Sequence, residues 1–145
     1  MNPATTAYLD QADAAAAGAA RILESTQKRF ALNRIHRPAT PWLQRIVTSV
    51  TTAPPQAARC KHVRHAHSPQ VSFLQVHSRR LECAKCTYRR IMQVKDTKED
   101  RTCDVCRKVM TRGSVNVAET AIGPIVITLG YCTACKPTAL GDDNP

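Results

Sequence analysis

Three Cys-x-x-Cys pairs, Cys83/Cys86, Cys103/Cys106 and Cys132/Cys135, constrain this chain more than any other feature. A tight turn between two such cysteines points both sulfurs at one metal ion about 2.3 Å away, the geometry that tetrahedral zinc takes. Six sulfurs leave two tetrahedral sites short of two ligands. The remaining thiol is Cys60, and His62 stands two residues on, in CKHVRHAH. Together they complete eight ligands, one site of three cysteines and a histidine and one of four cysteines, which predicts two Zn2+ per chain. His62 fits a Cys-x-His turn; His65, His67 and His77 are the other candidates for that place. Sequential pairing puts Cys60, His62, Cys83 and Cys86 on one ion and Cys103, Cys106, Cys132 and Cys135 on the other. It is preferred to a cross-braced arrangement because each half then reads as ligand pair, β-hairpin, ligand pair. Redox pairs of the thioredoxin kind are disfavoured, since no βαβ pattern surrounds any of them.

Metal is also expected from the size of the core. From residue 56 onward only 22 of 90 residues are Val, Ile, Leu, Met, Phe, Trp or Tyr, a thin supply for two small modules that must each bury a core. Seven cysteines would leave one thiol unpaired in an oxidised framework, and the N-terminus lacks the basic start and apolar run of a secretory signal. No stretch approaches the roughly 18 apolar residues that span a bilayer, so a reducing, cytoplasmic setting away from membranes is expected.

Organisation follows from punctuation. Asn2-Pro3 reads as a helix start, and Leu9, Ala12, Ala16, Ala19, Leu23, Thr26 and Phe30 form the seam of an amphipathic helix running to about residue 34. Thr40-Pro41 opens a second, short helix over about 41–51 with Trp42, Ile46 and Val50 on one face. Residues 1–52 are therefore expected to make a helical hairpin, whose alanine-rich seam packs on the second helix or forms a homodimer. Paired prolines mark a linker at 53–58. A basic zinc module with three cysteines and a histidine over 59–100, a four-cysteine module over 101–138 and a flexible tail over 139–145 complete the division. The fold class is small α+β, stabilised by zinc.

The second module carries the clearest pattern. Cys103-Asp-Val-Cys106 is followed by alternating Val115 and Val117, a turn at Gly123-Pro124, and IVITLGY running directly into Cys132-Thr-Ala-Cys135. This stretch, 103–135, resembles the zinc ribbon family, in which two ligand-bearing knuckles clamp a short β-sheet. Cys60-x-His62 followed by Cys83-x-x-Cys86 resembles treble-clef or ribbon-type fingers more loosely. These resemblances imply fold and metal; zinc ribbons serve in transcription and translation factors and also as plain structural staples.

Charge supplies the functional expectation. The formal net charge is +10, and residues 56–95 hold nine basic side chains against one acidic. RRLECAKCTYRR, residues 79–90, is close to a mirror image and reads as a hairpin with the cysteine pair at its tip, opposing Leu81 to Tyr88 and Arg80 to Arg89. Arg59, Lys61, Arg64, Arg79, Arg80, Lys85, Arg89 and Arg90 then form a phosphate-binding face, with Tyr88 placed to stack on a base. A non-enzymatic zinc protein that binds a nucleic-acid backbone, DNA or RNA, is the first expectation. The alternative is a protein-protein adaptor docking on a larger machine such as a polymerase or ribosome component. Catalysis is not expected: there is no His-x-Glu, HExxH, GxSxG or P-loop, and eight ligands close both metal sites.

Overall fold

The computed structural model describes residues 2–30, 39–63 and 70–142, together with the backbone of 33–34. Helix α1 spans Pro3–Phe30, about 42 Å at 1.5 Å per residue, and Asn2 caps it by accepting the Ala4 N–H on its side-chain oxygen at 3.1 Å. It stops short of the expected end near 34. Asn33–Arg34 form instead a two-residue strand, β1. Helix α2, Pro41–Thr52, begins as its Thr-Pro signal predicts: the Thr40 hydroxyl accepts the Leu43 N–H at 3.3 Å. Its buried face is Leu43, Ile46 and Val50, with Trp42 half-buried at the side. The paired prolines end α2 and start another turn, α3, Pro55–Ala58, which buries Ala58.

The remaining elements are β2 (Ser72–Gln75), β3 (Arg80–Glu82), α4 (Ala84–Val94), β4 (Asn116–Ile122), β5 (Ile125–Tyr131) and α5 (Lys136–Leu140). All five strands join one sheet in the order β1-β4-β5-β2-β3. The two hairpins, β2–β3 and β4–β5, are antiparallel within themselves, and β2 lies parallel to β5, with Phe73 level with Val126. The β4–β5 turn falls on Gly123-Pro124, where Gly123 has φ +54°, a conformation its missing Cβ permits.

Strand alternation sorts the side chains onto two faces. Leu74, Ala118, Ile127, Leu129 and Tyr131 point to one face and pack with Leu43, Ile46 and Val50 of α2 and with Ala139 and Leu140 of α5. Phe73, Val117, Glu119, Val126 and Thr128 point to the other, where α1 lies against β4 and β5 through Ala15, Ala19 and Leu23. The middle of the expected α1 seam, Ala19 and Leu23, thus meets the sheet while its ends, Leu9 and Phe30, are exposed, and the two helices expected to pair as a hairpin lie on opposite faces of the sheet. Ala139 and Leu140, expected in a flexible tail, sit in the core because α5 docks on α2.

The largest departure from the sequence reading is at residues 79–90. No hairpin forms there; β3 ends at Glu82 and α4 begins at once, with Cys83 as the residue flanking its first turn. A hairpin would set Arg80 against Arg89 and Arg79 against Arg90. The helix separates those charges, and Lys, Arg, Met and Gln favour it. The expected returning strand after Cys86 is this helix too.

Candidate metal centres

Two clusters of ligand atoms assemble, Cys60 with His62, Cys83 and Cys86, and Cys103 with Cys106, Cys132 and Cys135; within each the ligand atoms lie within 4.8 Å of one another. They are sequential sets, each joined across one β-hairpin. In the first, Cys60 is fixed by its N–H bond to Leu81 O at 3.0 Å, which lays the ligand segment along β3. Cys83 donates its N–H to Cys60 Sγ at 3.3 Å. His62 Nδ1 stands 3.6 Å from Cys83 Sγ and 3.4 Å from Cys86 Sγ. A tetrahedron with Zn–N near 2.1 Å and Zn–S near 2.3 Å has an N···S edge of about 3.6 Å, so the residues fit zinc.

The second cluster joins the Cys103 knuckle to the end of β5. The Arg107 N–H reaches Cys103 O at 2.9 Å, and φ +62° at Arg107 turns the chain that follows so that Lys108 O accepts the Cys103 N–H at 3.0 Å. Cys132 donates its N–H to Cys103 Sγ at 3.4 Å. Asp104 and Gly130 lock the two halves: Asp104 N–H donates to Gly130 O at 2.8 Å, and Gly130 N–H returns to Asp104 Oδ2 at 2.6 Å. Burial raises the Asp104 carboxyl above its usual range, partly offset by that Gly130 bond.

The thiols behave as crowded sulfurs do without a cation. Burial opposes ionisation of Cys103, but N–H bonds from Cys106, Cys132 and Val105 and the Cys106 thiol outweigh it, bringing the group down to about 7. Cys135 is pushed up to about 12, first by burial and then by bonds with Cys132, Cys106 and Cys103. The first cluster divides the same way. Cys83 is held below the usual thiol range despite burial, chiefly by bonds from Cys86, and Cys86 is pushed up to about 11 by burial and then by the Cys83 and Cys60 thiols. One thiolate per cluster is easily made and the next resists; a dication resolves that conflict. Each cluster can hold one metal ion, consistent with two Zn2+.

The clusters occupy opposite ends of the sheet. Glu82, just before Cys83, is level with Phe73 and hence with Val126, and β5 then runs six residues to Cys132. At about 3.3 Å per residue the two sites are offset by about 20 Å along the strands.

The predicted basic residues separate into two groups. Arg90 makes a two-pronged bond to Glu82, Nη2–Oε1 at 2.7 Å and Nε–Oε2 at 3.0 Å. Arg80 donates to Ala57 O at 3.1 Å and Arg59 O at 3.0 Å, and Arg59 reaches Thr51 O at 3.4 Å. These three brace the chain. Lys61, Arg79, Lys85 and Arg89 are exposed, and so is Tyr88, at 66 %. Arg64, His65 and His67 lie outside the described residues, and His77 lies half-buried beyond the top of β2, away from the first cluster. Sequence reasoning passed over Glu82. Its signal was there, since it is the lone acid among nine cations in residues 56–95.

No family model matches this chain, and neither curated proteins nor solved structures yield a match. Among the described residues no helix is long and apolar enough to cross a membrane.

Proposed function

We propose that this is a non-enzymatic zinc protein whose first metal centre presents a basic surface to a nucleic-acid backbone. One observation carries the reading. Lys61 lies between Cys60 and His62, and Lys85 between Cys83 and Cys86, so one tetrahedral cluster draws both cations to the same place. Arg89 follows Lys85 by one helical turn and shares its side of α4. All three are exposed, and none has an acidic partner among the described residues. Unpaired, outward cations on a rigid support are what phosphate recognition requires, and Tyr88 beside Arg89 offers a ring for stacking. Four protein ligands at each cluster leave no coordination position for a substrate water, which supports structural rather than hydrolytic metal.

The test is a salt titration of duplex and single-strand binding with zinc-loaded protein. Lys85→Ala with Arg89→Ala lowers the slope of log affinity against log salt by up to about two units, alike for all sequences, with zinc content and melting unchanged. Affinity and slope equal to wild type would remove the proposal. The adaptor reading draws on a different observation: Tyr88, Ile91 and Met92 are exposed apolar residues on the same helix. Under it Met92→Ala weakens partner capture while isolated nucleic acid binds no better than to any basic protein.

A further inference from the structure

Helix α4 carries two kinds of exposed side chain in adjoining strips. At about 3.6 residues per turn, the order around its axis is Ile91, Tyr88, Met92, Lys85 and Arg89, each roughly 40–60° from the next. All five are exposed, Tyr88 at 66 % and Met92 at 50 %. An apolar strip therefore runs down one side of the outer surface and a cationic strip down the other.

The apolar strip borders a groove. Between α1 and α4, above β2, β4 and β5, lies a space of about 490 Å³, in the range of small-molecule sites, and Tyr88 and Ile91 line it together with Phe73 and Val126. Lys85 and Arg89 stand outside that lining, farther round the helix. Glu99 and Asp100, exposed where they line the groove, disfavour a phosphate within it, so a polyanion keeps its charges to the side of Lys85 and Arg89.

A surface divided in this way discriminates among nucleic acids. A duplex holds its bases stacked and paired between two phosphate rails, and an apolar strip beside the cations is then left facing water or phosphate. A single strand has one charged edge and one edge of bases whose π-faces are free to stack. Lys85 and Tyr88 are three residues apart on the helix, with Cβ atoms about 5–6 Å apart, a span that one nucleotide covers from its phosphate to its base. The exposed Tyr88 ring and the Met92 thioether give such a base apolar, polarisable partners.

We propose that α4 selects single-stranded nucleic acid, an inference that rests on the nucleic-acid reading above. The phosphates run along Lys85 and Arg89, and a base lies on Tyr88 at the mouth of the groove, flanked by Ile91 and Met92.

Fluorescence anisotropy on the zinc-loaded full chain tests this with three labelled DNA probes of equal length: a mixed-sequence single strand, its duplex, and a strand of abasic sites that keeps the phosphates and lacks the bases. The mixed strand binds tighter than the duplex and about fivefold or more tighter than the abasic strand, the scale of one stacked base. Tyr88→Ala removes the advantage over the abasic strand and leaves abasic binding, zinc content and melting unchanged; Tyr88→Phe keeps the advantage. The same sequence as RNA is run alongside, and a base-dependent gain with either sugar supports the proposal. Equal affinity for the mixed and abasic strands overturns it, as does a gain that survives Tyr88→Ala or a duplex bound tighter than the single strand. In those three cases binding itself persists, so the nucleic-acid reading stands while the inference falls. Binding of no probe removes both, and capture of an acidic amphipathic peptide through Tyr88 and Met92 in its place assigns the face to a protein partner.

Discussion

Removing Arg90 distinguishes a brace from a binding residue. The Glu82 side chain is 5 % exposed, and Arg90 covers it with two hydrogen bonds at 2.7 and 3.0 Å. Breaking a fully buried pair by deleting one partner costs about 3–5 kcal/mol, because the other charge stays in place without compensation. Two features reduce the figure here. The Arg90 side chain is itself 30 % exposed, and Arg80 remains with Nε 3.9 Å from Glu82 Oε1. Arg90→Ala is therefore expected to cost about 2 kcal/mol, or about 4–8 °C in melting temperature for a chain of this size. Glu82→Gln in the same chain removes the stranded charge, so the double variant melts above Arg90→Ala, with a coupling of about 1–2 kcal/mol. Thermal and urea melts in reducing buffer with excess zinc measure all four corners of the cycle. The reasoning fails if Arg90→Ala melts like wild type while weakening nucleic-acid binding as much as Arg89→Ala does.

Three further outcomes are expected. Cys103→Ser removes a fully buried ligand, and loss of a structural zinc forfeits on the order of 10–16 kcal/mol of binding free energy; zinc content falls from two to one per chain, and native melting behaviour is lost. Burial raises the Glu119 carboxyl above its usual range despite the Thr26 and Thr128 bonds. The folded state thus holds that proton more tightly than the unfolded one, a contribution present below the ordinary carboxylate pKa and lost as pH rises through the folded value. Urea melts should accordingly show Glu119→Gln more stable than wild type at neutral pH, with the gap closing on acidification. A Cβ at Gly130 would lie 2.9 Å from Val115 Cγ1 and 3.7 Å from Asp104 Oδ2; Gly130→Ala costs about 1–2 kcal/mol and loosens the second metal centre, read as faster zinc release to a chelator.

The ligand clusters were legible because a metal is satisfied locally: short spacings in Cys60-x-His62 and the three pairs already commit the backbone to turns. The β4–β5 hairpin was legible for the same kind of reason, with Gly123-Pro124 permitting the turn and β5 matching IVITLGY residue for residue. Helix α4 was not. Its first residue follows Cys83, which forms no side-chain cap bond, so the usual Ser, Thr, Asp or Asn signal is missing, and Thr87 and Tyr88 are residues that strands favour. The single sheet was hidden by distance. Nothing local in SFLQ announces that Ser72–Gln75 will lie alongside residues some fifty positions later. Likewise the alternating seam of α1 named the buried Ala19 and Leu23 but not the partner that covers them, and it also included Leu9 and Phe30, which are exposed. Periodicity records which residues are covered, and leaves open what covers them.

One sheet runs between the two candidate metal centres, so their occupancies are expected to be linked. Strand β3 leads into Cys83 and β5 into Cys132, and β2, hydrogen-bonded to both, transmits order from either end to the other. The first ion bound bears most of the entropy of ordering these strands, so the second meets ligands already arrayed and binds with higher apparent affinity. Loading then follows a sigmoid rather than two independent steps. A zinc titration of the wild-type chain followed by native mass spectrometry is expected to show fewer singly loaded molecules than two independent sites would give.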